Sequence, residues 1–157
     1  MEWYSAMRPF DIQVNGYAGA DFCSADLTLE QTRHACDELA ADGVDGILAT
    51  VITDTVEALC AKLAKLVAFR EADPAIARMI AGFHIEGPFL NAAPGYIGAH
   101  PPECVKPANI DDMARLLDAA FHPDGEGVGR IELLAPGEQG EGPLGVAPGD
   151  EIGRAHV

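Results

Sequence analysis

Three short apolar segments, their starts about 35 residues apart and separated by stretches of helical spacing, limit what this chain can fold into more than any other feature. Phe10–Asn15 (FDIQVN), Val44–Val51 (VDGILATV) and Met79–Glu86 (MIAGFHIE) read as strands, and Arg130–Ala135 (RIELLA) as a fourth. Between them, Leu29, Thr32, Cys36, Leu39 and Ala40 make one helical face, and Val56, Leu59, Cys60, Leu63 and Val67 a second. Ile110, Met113, Ala114 and Leu117 make a third. Thr28 with Gln31, and Asp54 with Glu57, have the spacing at which a side-chain oxygen and a later Glu or Gln satisfy the free amides of a helix start. Strand, helix, strand at this repeat length implies right-handed crossovers and a parallel sheet. Two architectures fit: an open doubly wound sheet and a (β/α)8 barrel.

The nucleotide-binding open sheet needs a GxGxxG turn after its first strand, and Gly16 and Gly19 in NGYAGADFCSADLT do not have that spacing. In a barrel the chemistry gathers at the C-terminal strand ends, where the polar residues of this chain lie. Gln13 and Asn15 end the first strand and His84 and Glu86 the third, each pair two apart and so on one face. Each also has an ordinary explanation. Strand-end amides satisfy loop groups, and a single histidine is more commonly a hydrogen-bonded core residue than a ligand. Glu86 is harder to explain that way. A carboxylate at the mouth of a sheet must be paired, metal-bound or protonated, and no Lys or Arg lies close to it in sequence, so a metal or a distant partner is expected.

The chain has 157 residues, 48% of them hydrophobic, enough for one domain-sized core. Its formal net charge of -15 repels phosphate backbones and anionic membranes, so neither nucleic acid nor a membrane surface is an expected partner. Cys23, Cys36, Cys60 and Cys104 form no CxxC pair and read as reduced thiols. No apolar run approaches the roughly 18 residues of a spanning helix, and the start lacks the pattern of a signal peptide, so a cytoplasmic location is expected.

FDIQVNGYAGADF, followed by HIEGPFLNAAPGYIGAHPPECV, resembles the N-acetylglucosamine-6-phosphate deacetylases of the amidohydrolase superfamily; GVDGILATVITDT between them fits as well. The resemblance runs from about Phe10 to Ala135. It implies a partial (β/α)8 barrel of the TIM type, α/β in class, with about four parallel strands and three helices and an irregular C-terminal tail. It also implies that Glu86 is a metal ligand and that Ala99 and His100 contact the bound amino-sugar phosphate. Gln13-Val14-Asn15 stands where many amidohydrolases carry HxH, and neutral amides are poor ligands. One divalent ion, zinc, is therefore implied rather than two, with Gln13, Asn15 and His84 lining the site. The reaction implied is metal-assisted hydrolysis of N-acetylglucosamine 6-phosphate to glucosamine 6-phosphate and acetate, and the full-length enzyme would be a homodimer.

The family's histidine ligands and its catalytic aspartate come from later strands, so no catalytic residue is assigned in this chain and the fragment alone is expected to be inactive. Residues 1–9 read as an irregular start, 10–135 as the first half of a metal-dependent hydrolase barrel, and 136–157 as a low-complexity tail. The last seven residues, EIGRAHV, match a translated sequencing adapter. His156 is accordingly not counted as a ligand, and His122 reads as solvated. Two alternatives remain open: a non-catalytic half-barrel that binds a partner, and an amidohydrolase acting on a cyclic amide, which the absent HxH disfavours.

Overall fold

The computed structural model describes residues 9–121. Strand β1 (Phe10–Val14) leads into a short antiparallel ribbon, β2 (Gly16–Tyr17) with β3 (Ala20–Asp21). Ala18 and Gly19 between them have φ of 47° and 84°, the left-handed pair whose twist suits a two-residue hairpin. Then follow α1 (Leu29–Ala41), β4 (Gly46–Ile52), α2 (Val56–Ala72), α3 (Pro74–Met79), β5 (Ile80–Glu86) and α4 (Ile110–Ala120).

The three longer strands form one parallel sheet in the order β1-β4-β5. Right-handed crossovers that always step in the same direction put the connecting helices on one face. Accordingly α1 packs on α3, α3 on α2, and α2 on α4. Central β4 is the most deeply covered strand, with Ile47, Ala49 and Val51 fully buried. Cys36 and Leu39 of α1, Leu59, Leu63 and Leu66 of α2, Ile76 of α3 and Leu116 of α4 complete the core, joined by Phe22 and Leu27 from the connection before α1. The result is an α/β fold, consistent with part of a barrel.

Local sequence explains most element boundaries. Thr28 caps α1 as expected: its hydroxyl accepts from Gln31 N at 3.2 Å, and the Gln31 side chain accepts from Thr28 N at 3.0 Å. At α2 the cap is Thr55, not Asp54, because Thr55 is the last extended residue and accepts from Ala58 N. Asp54 instead pairs with Lys62 at 2.8 Å.

The described residues hold four helices rather than three. The additional one, α3, starts with Pro74 at its first position and Asp73 as its cap, and it claims Met79, which had read as strand. The third apolar face is also placed differently. Ile110 is 65% exposed and Met113 partly so, while Asp112, Leu116 and Ala120 are buried. The cause is position. Among the described residues β5 is an edge strand, so α4 has α2 on one side and an open apolar groove of Phe83, Ile85, Phe89, Leu90, Met113 and Leu116 on the other. The strand read at Arg130–Ala135, the first eight residues, His122 and the tail from Pro136 lie outside the described residues.

All four cysteines are unpaired. Burial pushes the Cys36 thiol up to about 12, which keeps it protonated and chemically quiet. No described helix is long and apolar enough to cross a membrane.

One ion pair ties the helical layer together. Arg33 of α1 holds Asp73 through Nη1 at 2.8 and 3.0 Å, and Asp73 also accepts from Ala75 N. Arg33, and secondarily that amide, hold the Asp73 carboxyl below its ordinary range. A depressed carboxyl contributes stability that is present above its unfolded pKa and is lost as pH falls through the folded one. Asp73→Asn should therefore reduce the drop in urea midpoint between about pH 6 and pH 3. An unchanged drop would show that the pair does not contribute to acid sensitivity.

Candidate active site

Strand β5 leaves the core at Ile80 and ends on Glu86, with Thr50↔His84 and Ile52↔Glu86 as register partners on β4. His84 and Glu86 share a face of β5. Both reach across β4 to β1. His84 Nδ1 donates to Ile12 O at 3.0 Å, and Gln13 Nε2 donates to Glu86 Oε2 at 3.3 Å. Alternate strands of a sheet lie about 10 Å apart, a gap that these side chains bridge over β4. A carbonyl can only accept, which fixes the proton on Nδ1 and leaves Nε2 of a neutral His84 with its lone pair free.

The chain then turns sharply. Gly87 has φ of 91°, its peptide to Pro88 is cis, and the Thr53 hydroxyl donates to Glu86 O at 2.7 Å. Pro88 O accepts from Leu90 N and Lys106 N, closing the loop at its base. Turns within the loop, including Tyr96 N to Ala93 O and His100 N to Ile97 O, return His100 to the strand end. There His100 Nε2 lies 3.6 Å from Glu86 Oε1, the two side chains being 23% and 32% exposed.

Gln13, Glu86 and His100 therefore converge from three parts of the chain, with His84 beside them. Glu86 is half-hydrated and partnered rather than a bare buried charge. Ala99 is adjacent to His100 and exposed. Asn15 lies one residue beyond the end of β1 and is exposed. The register shifts between Asp11 and Val14, the strand ends at Val14, and Asn15 serves the ribbon by accepting from Phe22 N through its carbonyl. Sequence reasoning missed Thr53 and Cys23. Cys23 Sγ donates to Thr50 O and accepts from Ile52 N, sealing the end of β4. The only sequence signal for Thr53 was a run of hydroxyls, TVITDT, after an apolar strand.

As donors, the Glu86 carboxylate and the His100 imidazole suit a zinc-like ion. Catalytic zinc sites take three protein ligands, however, and among the described residues no group of three or more His, Cys, Asp or Glu side chains is placed to hold an ion. These residues by themselves do not complete a metal site.

The fold matches solved structures. N-acetyl-D-glucosamine-6-phosphate deacetylase from Mycobacterium smegmatis superposes with a TM-score of 0.58 at 27% identity, over 72% of this chain and 30% of that one. A variant of it, solved in complex with N-acetyl-D-glucosamine-6-phosphate, gives 0.60 at 27% identity, over 72% and 27%. This chain is similar to the N-acetylglucosamine-6-phosphate deacetylases. The deacetylase from Thermotoga maritima, at 23% identity and a TM-score of 0.57 over 68% and 27%, adds a likeness of fold. The chain thus spans less than a third of the length of the deacetylases it matches. No protein-family model matches it, and no curated protein does. The likeness to these deacetylases agrees with the resemblance carried by the blocks ending in HIEGPFLN and GAHPP.

Proposed function

We propose that the described residues form the opening part of a (β/α)8 barrel in a cytoplasmic, homodimeric, metal-dependent deacetylase. Its reaction is hydrolysis of N-acetylglucosamine 6-phosphate to glucosamine 6-phosphate and acetate. The observation that carries this reading is the convergence of Gln13, Glu86 and His100 at the C-terminal ends of parallel strands, in a chain similar to those deacetylases.

In this reading Glu86 is one ligand of a single zinc ion, and the remaining ligands and the catalytic aspartate come from outside residues 9–121. When bound, the ion would supply Lewis acidity at the acetamide carbonyl. Gln13 holds one carboxylate oxygen of Glu86 in place. His100, brought in by its loop with Ala99, donates to the sugar phosphate, a local attraction needed against the net charge of -15. His84 offers its free Nε2 to water or substrate. The described residues alone do not turn over substrate.

The test is acetate release by the full-length gene product. N-acetylglucosamine 6-phosphate should be hydrolysed and unphosphorylated N-acetylglucosamine much more slowly. A chelator should abolish the reaction and zinc restore it. No acetate from the phosphorylated sugar in the zinc-loaded protein would overturn the reading.

A further inference from the structure

We propose that Thr53 is a positioning residue for Glu86: its buried hydroxyl fixes the peptide from which the carboxylate projects. The inference rests on the reading of Glu86 as a metal ligand. Three observations converge on it. Thr53 directly follows β4, whose last residue, Ile52, is the register partner of Glu86, so the parallel pairing itself delivers Thr53 to the end of β5. Its side chain is enclosed, the residue being 4% exposed, and its hydroxyl donates to Glu86 O at 2.7 Å. Finally, a Cβ on Gly87 would lie 1.9 Å from Thr53 Oγ1, so the chain turns away after Glu86 around that hydroxyl.

The geometry makes the hydroxyl specific. Among the described residues β5 pairs on one side only, to β4, and Glu86 is its last paired residue. The last paired residue of a strand is the least held by the sheet, and a tilt of its peptide swings the Cα–Cβ direction of Glu86. The hydroxyl bond removes that freedom. Gln13 and His100 then need to fix only the carboxylate itself. Partners that orient a metal ligand typically change affinity by about 10–100-fold when removed. Valine has the shape of threonine without the donor, whereas serine keeps the donor without the methyl.

The experiment measures zinc affinity of the full-length protein by competition with a chromophoric chelator, at a temperature where every variant retains the circular dichroism of the parent. Thr53→Val should weaken zinc binding by about tenfold or more, and Thr53→Ser should stay within about threefold of the parent. Where the valine variant does not fold, Thr53→Ala removes the same donor without bulk and should show the same loss. Parental affinity in the donor-less variants would overturn the proposal, as would a serine variant as weak as the valine one. Glu86→Gln is measured alongside. If it too binds zinc as the parent does, the ligand reading fails and the role of Thr53 falls with it; if it alone loses zinc, only the role of Thr53 is refuted.

Discussion

Glu86→Gln in the full-length protein is expected to lower zinc affinity on the order of 100-fold or more, because the change replaces an anionic ligand by a neutral amide. Loss of the ion removes several kcal/mol of transition-state stabilisation, so kcat/KM should fall on the order of a thousandfold. Folding should hardly notice. The side chain is 32% exposed and its contacts are a 3.3 Å amide bond and a 3.6 Å approach to His100, so the stability of the metal-free protein should change by less than about 0.5 kcal/mol. The separation between metal content and melting temperature is the point of the test. A variant with the parent's zinc content and affinity would refute the assignment, and a metal-free variant that melts much earlier than the metal-free parent would make Glu86 a structural residue instead. His100→Ala should behave differently, raising KM with little change in kcat, since its contact is to bound substrate rather than to the reacting carbonyl.

Gly87→Ala should produce a large loss of stability for a single added methyl. At φ of 91° an L side chain is strained, costing roughly 1–3 kcal/mol. The new Cβ would also sit 1.9 Å from Thr53 Oγ1, so the hydroxyl must leave its bond to Glu86 O, at a further cost of about 1–3 kcal/mol. The two together come to roughly 2–6 kcal/mol, which lowers Tm by about 4–24 °C in a domain of 150–250 residues. Calorimetry checks it directly. A parental Tm would mean that the loop does not turn around Thr53 as described.

Reading the chain without its structure worked where the cause is local. The β4 run, the Thr28–Gln31 cap and the apolar positions Leu59 and Leu63 follow from spacing alone, and all are found as expected. It failed where a neighbour distant in sequence decides. Helix α3 is short because Asp73 and Pro74 start it and β5 ends it, and no apolar period of that length can be recognised. The exposure of Ile110 depends on what lies beside α4. At the site, Glu86 stood out because a charged strand end is unusual and His100 came through the family resemblance, but the Gln13 bond spans 73 residues and the Thr53 bond 33. The register shift between Asp11 and Val14 is likewise something that alternation cannot anticipate.

The span between Gln13 and Glu86 also sets a schedule for biosynthesis. A ribosome adding about 5–20 residues per second releases Glu86 roughly 4–15 s after Gln13, and β4, which β1 needs as its partner, appears in the interval. Until then β1 offers nascent-chain surroundings an unpaired edge carrying Phe10 and Ile12, both still largely exposed in the folded protein. The contact from His84 to Ile12 can therefore close only after both β4 and β5 have been made.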